Sequence, residues 1–334
     1  MTRSKAEYWL GAFTGFYRPG TSEILALDPV SRFLYAARSV ILVISAQAAI
    51  IAGLLAATDY EFHWLRFILV LVGFVIAHMI SNLSNDYFGY TRGHDTPDSP
   101  RMRYTVHPLT SGVLTSHALV TGLAILAVIG ISIAAFFILE HGWMVVAFTV
   151  AGVAILFWYD AAPVPLKSIG LGEVAVFLVW GPLMVGGGYA AITGHLSYNA
   201  FYISIPYGLG VMSILIGKHI DQRDFDLSKG IHTLPVLLGE RIARAVTMLA
   251  IILMYVMTAV PILLAHLTPF AAMTLLALPR ALRALSILRQ PCPSTPPIGY
   301  IAWPLWYHRV CLRHNRAFGW LFICGLATGA LWRI

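Results

Sequence analysis

The stretch HWLRFILVLVGFVIAHMISNLSND, residues 63–86, decides the fold. It runs through some twenty largely apolar residues, which as a helix rising 1.5 Å per residue spans a hydrocarbon core of about 30 Å. It then ends abruptly in two asparagines and an aspartate. A carboxylate at the bilayer centre costs roughly 2.5–3.5 kcal/mol, so this polar end belongs at a membrane surface or in a wet pocket. Comparable apolar runs predict helices at about 37–57, 63–84, 115–138, 142–158, 171–192, 200–219, 242–264, 267–287 and 317–333. The composition agrees. Of 334 residues, 58% are hydrophobic and 11% charged, against about 25% charged in soluble domains. Short alternating strands are absent, which argues against a β-barrel. The expected fold is all-α, a polytopic membrane protein of about nine transmembrane helices. Residues 1–334 form one domain, with an interfacial segment over 1–30 and polar loops at 85–112 and 218–240.

Charge supplies the orientation. Twenty of the 22 Lys and Arg residues fall on one side of this layout, leaving Arg66 and Arg333 opposite. The positive-inside rule makes the charged side cytoplasmic. The first acidic stretch follows the second helix, and GKHIDQRDFDLSKG, residues 217–230, follows the sixth. Four helices lie between them, so both emerge on the same side and can face one cavity. The expected location is a multi-pass position in a prokaryotic plasma membrane, with this face cytoplasmic.

One acidic loop alone reads as a solvated connection. Two on one face, interleaved with Asn, Lys and Arg, read differently. Asn82 and Asp86 are four residues apart on one helical face, with Asn85 beside them. The second stretch carries Asp221, Asp224 and Asp226 among Lys218, Arg223 and Lys229. Hard oxygen donors without a Cys or paired-His set favour Mg²⁺, which shares its shell with water and phosphate. The cations suit phosphate. A diphosphate held at the mouth of an apolar bundle points to an isoprenyl diphosphate.

These motifs resemble the UbiA superfamily of intramembrane prenyltransferases, especially the menaquinone branch that prenylates dihydroxynaphthoate. NLSNDYFGYTRGHDTPDSPR looks like its first motif and KHIDQRDFDLSKGIHTLPVLLGE like its second. WYDAAPVPLKSIGLGEVAVFLVWGPLMVGGGY, starting at Trp158, resembles the segment between them. The resemblance implies nine helices around a central cavity. It further implies catalytic roles for Asn82, Asn85, Asp86 and Asp221, and metal ligation by Asp86, Asp95, Asp221, Asp224 and Asp226. Lys167 and Tyr159 match the segment that caps the diphosphate. Lys218, Arg101 and Arg223 are expected phosphate contacts on charge and position. The implied reaction is Mg²⁺-dependent transfer of an isoprenyl group to an aromatic or lipophilic acceptor, with release of diphosphate. The expected partners are the two substrates and the bilayer, not nucleic acid; oligomeric state is not legible.

Two departures keep other readings open. Position 89 is Gly where the family's first motif has an aspartate, and the second motif is spaced Asp221-x-x-Asp224-x-Asp226. A glycine at that position also resembles the superfamily's terpene cyclases, which ionise the same diphosphate without an acceptor. A cation-coupled transporter is the third reading, although coupling sites usually lie near the midplane at broken helices. His94, His107, His219 and His232 lie near the acidic motifs but show no metal-binding spacing, and read first as plain polar groups. Cys292, Cys311 and Cys324 carry no assigned chemistry. Glu173 reads as helix packing or capping.

Overall fold

The computed structural model describes residues 4–17, 19–300 and 302–332, all helical or irregular, with no strand among them. Arg3, Arg18 and Arg333 of the charge count lie outside the described residues. The N-terminal segment forms three short helices: α1 (Lys5–Thr14), α2 (Thr21–Leu25) and α3 (Pro29–Ala36). Ser4 and Glu7 cap α1 reciprocally, and Asp28 caps α3. The long helices follow as α4 (Val43–Thr58), α5 (Trp64–Thr91), α6 (Ser116–His141) and α7 (Trp143–Asp160). Tight turns at Gly142 and around Asp59–His63 make consecutive helices antiparallel.

The fifth span is broken into α8 (Gly172–Leu178), a wide-turn segment Val179–Gly186 and α9 (Gly187–Thr193). Pro182 lies inside the wide turns; lacking an N–H, it cannot support a regular α-helical ladder there. Next come α10 (Tyr198–Asp221), then two short helices, α11 (Arg223–Ser228) and α12 (Leu234–Leu238), and α13 (Glu240–Leu263). The eighth span starts as a tight-turn run, Pro269–Ala277, and continues as α14 (Leu278–Leu288). The last helix is α15 (Tyr307–Trp332).

Among the described residues, eight of these spans are long and apolar enough to cross a membrane. The ninth, α15, is long enough at 26 residues, but its first turns carry Arg309, Arg313 and Arg316. The chain is therefore an all-helical, multi-pass integral membrane protein.

Two boundaries differ from the expected ones in a way that matters. The second helix runs on to Thr91, so Asn85 and Asp86 ride on it rather than in a loop. The last helix begins at Tyr307 instead of 317, because Asp221 accepts the N–H groups of Tyr307 and His308, each at 2.9 Å. Those are two of the four donors any helix start leaves unpaired.

Helix α10 is the hub, packed against α13, α15 and the broken fifth span. Gly208 makes the last contact possible: a Cβ there would stand 2.8 Å from the Phe177 carbonyl and 3.0 Å from Gly181 Cα. Helix α6 lies at the rim, with only 6% of its apolar window buried, and offers its side chains to lipid. Between α5, α7, the fifth span, α10 and the start of α15 lies a cavity of about 1130 Å³. The N-terminal helices line one end of it.

Candidate active site at the polar end of the cavity

The cavity wall is apolar along the membrane spans and polar where α5 meets the following loop. Asp86 sits there, fully buried. Its carboxylate is gripped by two guanidiniums: Arg38 and Arg101 each reach Oδ1, and Arg101 Nη2 also donates to Oδ2 at 2.8 Å. Such paired contacts offset part of the cost of burying the charges. Arg38 enters from the turn before α4, where its own backbone is left-handed (φ 56°). A non-glycine residue seldom adopts that conformation, and here it coincides with the Arg38–Asp86 contact.

Asn82 and Asn85 donate their amide nitrogens elsewhere, to the Ala37 carbonyl (3.0 Å) and to Asp160 Oδ1 (2.9 Å). That leaves both amide oxygens without a donor among the described residues, beside the cavity that Asn82 and Asn85 line. Asp95, on the loop after α5, folds back over the helix. A Cβ on Gly89 would collide with Asp95 Oδ2, so the Asp95 carboxylate occupies the space a side chain at 89 would fill. His107 holds it there: Nε2 lies 3.3 Å from Asp95 Oδ2, while Nδ1 accepts the N–H groups of Leu109 and Thr110, both at 3.2 Å. With Nδ1 accepting, the ring proton sits on Nε2 and donates to the carboxylate. Burial by itself would raise the Asp95 pKa; the His107 hydrogen bond and the Arg101 charge outweigh it and hold it at about 2. Ligand atoms of Asp86, Asp95 and His107 lie within 4.8 Å of one another.

The second acidic stretch divides. Asp226 is buried and accepts from Thr233 Oγ1 at 3.5 Å. Burial lifts its pKa above the ordinary carboxylate value, against the pull of His219, Lys218 and Lys167. Lys218 lines the cavity and has no hydrogen-bond or ion-pair partner among the described residues. The two stretches meet where Gln222 Nε2 donates to the Tyr104 hydroxyl at 2.8 Å. Asp221, Asp224 and Asp226, all expected with the metal ligands, stand outside the Asp86–Asp95–His107 cluster. Asp221 faces away to cap α15, because two backbone donors wait there. The Asp224 side chain is 93% exposed and pairs with Arg223, whose Nε also donates to the Pro235 carbonyl; neither residue lines the cavity.

Lys167 is held by Asp160 at 2.5 Å, next to Tyr159, which does line the cavity. Arg92 braces the same corner through the carbonyls of Asp160, Ala161 and Ala162. Glu173 accepts from Leu234 N at 3.3 Å and pairs with His219 at 2.6 Å, behind the second stretch. The sequence singles out neither Arg38 nor Asp160, and it reads His107 first as a plain polar group beside the acidic motifs. The available signal is slight: one arginine at the charged end of the first span, and an aspartate closing α7 beside Tyr159.

Similarity to known proteins agrees with this geometry. The model of the UbiA prenyltransferase family matches residues 46–303. UbiA prenyltransferase domain-containing protein 1 of Dictyostelium discoideum is 29% identical over 224 residues, 63% of this chain and 66% of that protein. The 2-carboxy-1,4-naphthoquinone phytyltransferase of Synechocystis is 29% identical over 202 residues, 59% of this chain and 62% of its own length. The chain thus spans less than two thirds of these relatives. A UbiA homologue of Archaeoglobus fulgidus, solved with GPP and Mg²⁺, superposes with a TM-score of 0.57 at 15% identity, covering 89% of this chain and 99% of that one; it shares the fold.

Proposed function

The chain belongs to the UbiA prenyltransferase family, and on that premise we propose that it moves an isoprenyl group from its diphosphate to an aromatic acceptor of the naphthoate type. The observation that carries this reading is the pairing of one large apolar cavity with a polar end lined by Asp95, Arg38, Arg101 and Lys218, with Asp86 buried behind the two arginines. The isoprenyl tail suits the apolar wall and the diphosphate suits the polar end. The named activity of the Synechocystis relative supports the acceptor class.

The residues fit a divalent cation. Asp95 lines the cavity, and the amide oxygens of Asn82 and Asn85 have no donor among the described residues, so all three offer hard oxygen atoms to a cation. The Asp86 carboxylate lies within 4.8 Å of Asp95 and would join them by releasing one of its arginines. Asp226, buried on the opposite stretch near Lys218, is a further carboxylate outside that cluster. Mg²⁺ bound at the cluster would supply Lewis-acid charge to the departing diphosphate. The chain's own part is electrostatic and spatial. Lys218 meets phosphate oxygens without giving up another partner, and Arg38 and Arg101 are fixed at the same spot by Asp86. As the allylic C–O bond breaks, these cations stabilise the charge gathering on the diphosphate. The apolar wall keeps water from the allylic carbon until an acceptor ring carbon forms the new bond and releases its proton.

Gly89 favours a cyclase on sequence; its contact with Asp95 supplies a packing reason for the glycine, which supports the transferase. The cytoplasmic orientation rests on the Lys and Arg asymmetry. Purified protein incubated with Mg²⁺, geranylgeranyl diphosphate and 1,4-dihydroxy-2-naphthoate should release diphosphate only when the naphthoate is present. Cyclic hydrocarbon formed without acceptor would overturn the reading.

A further inference from the structure

Deep in the cavity, two helical turns before Asp86, stands a polar group the diphosphate chemistry does not use. His78 on α5 is 5% exposed and lines the cavity. Its Nδ1 lies 2.9 Å from Ser45 Oγ on α4, and the same oxygen accepts the indole N–H of Trp180 at 3.0 Å. Trp180 sits on the wide-turn segment of the fifth span, and its ring meets the imidazole edge-on with centroids 5.0 Å apart. Three spans therefore converge on one imidazole.

The proton order follows from donor counting. Trp180 only donates, so Ser45 Oγ must accept from it. Ser45 Oγ, with two lone pairs, could also accept from an Nδ1–H, but only the arrangement in which it donates to His78 Nδ1 gives its hydroxyl proton an acceptor among the described residues. An accepting Nδ1 places the ring proton on Nε2. Nε2 makes no hydrogen bond to any described residue, nor is it one of the sealed, unpartnered buried atoms. It is a donor of fixed tautomer and orientation that opens onto the cavity.

A donor in an apolar cavity costs free energy when left unpaired, so the partner should be a ligand. An isoprenyl tail has no lone pair to accept. The diphosphate belongs at Asp86, eight residues on and about 12 Å along the helix axis. The second substrate remains.

We propose that His78 Nε2–H donates a hydrogen bond to a ring oxygen of the aromatic acceptor and so positions its ring in the cavity, with Ser45 and Trp180 setting the tautomer. The inference rests on the transferase reading above, since a cyclase has no such substrate. His78, Asn82 and Asp86 follow one another at four-residue steps on α5, so one helix would align acceptor and diphosphate.

The test uses full-length protein in detergent with Mg²⁺, geranylgeranyl diphosphate and 1,4-dihydroxy-2-naphthoate. Acceptor binding is also measured directly, by equilibrium dialysis of the naphthoate in the presence of a non-reacting geranylgeranyl thiolodiphosphate. His78→Phe should weaken naphthoate binding and raise its KM about tenfold, one hydrogen bond's worth, while KM for the diphosphate stays within twofold. His78→Gln, which keeps an N–H donor, should recover most of the loss. Ser45→Ala and Trp180→Phe should give smaller losses confined to the acceptor, and they carry the test should His78→Phe not fold. Removing both ring hydroxyls, as in 2-naphthoate, should abolish the difference in affinity between wild type and His78→Phe. Unchanged naphthoate affinity in His78→Phe, or equal weakening of both substrates, overturns the assignment while leaving the transferase reading intact. Acceptor-free cyclisation by the wild type overturns both.

Discussion

Asp95 and Gly89 form a pair whose meaning appears only when they touch. The carboxylate lies over the glycine, so Gly89→Ala should push it off the cluster. We expect the Mg²⁺ concentration for half-maximal activity to rise about tenfold, with a matching loss of Mn²⁺ affinity by electron paramagnetic resonance. Asp95→Gly should do the same, and Gly89→Asp added to it should recover much of the loss by returning a carboxylate to the same space. The aspartates of the second stretch should separate under mutation. Asp224→Ala should leave turnover within about twofold, because that side chain is in water. Arg38→Ala should raise KM for the isoprenyl diphosphate about tenfold or more, through loss of a charge-assisted phosphate contact. The sequence shows Arg38 only as one cation among many on the charged side; its partner is 48 residues away.

At the level of the element, α15 starts where it does because a side chain from α10 caps it. Asp221→Ala leaves two backbone donors unpaired at a part-buried helix start, at a cost of about 1–3 kcal/mol. The expected result is a lower Tm in detergent with an unchanged Mg²⁺ half-saturation. A large shift in Mg²⁺ dependence at unchanged Tm would instead put Asp221 among the metal ligands. The broken fifth span is the other element with consequences. Pro182 and the wide turns around it change the helix register, and Trp180 on this segment reaches Ser45. A hydropathy plot records these residues as one apolar span and cannot show the break.

Over the whole molecule, polarity is graded from an apolar cavity wall to a cation-rich end, and the transfer proposed above needs that gradient. Chelation of divalent cations should stop turnover, and added Mg²⁺ should restore it. If the cationic end faces the cytoplasm, inside-out vesicles should consume externally added isoprenyl diphosphate, whereas sealed right-side-out vesicles should not, because the charged headgroup does not cross the bilayer. The opposite sidedness would reverse the proposed topology.

What the sequence by itself determined here is what depends on neighbours along the chain. Apolar run length located the spans, side-by-side asparagine and aspartate marked the polar stretch within α5 though not its end at Thr91, and charge asymmetry grouped the polar ends on one side. These signals are local because hydrophobic length and helical spacing are properties of contiguous residues. The tertiary structure alone decided the partners. It gave Asp86 two arginines, seated Asp95 over Gly89, turned Asp221 into a helix cap and joined Trp180, Ser45 and His78 across three spans. The reason is physical. A buried polar group must be satisfied by whatever donor or acceptor packing brings within about 3 Å, and that neighbour can lie more than a hundred residues away, as Trp180 does from Ser45.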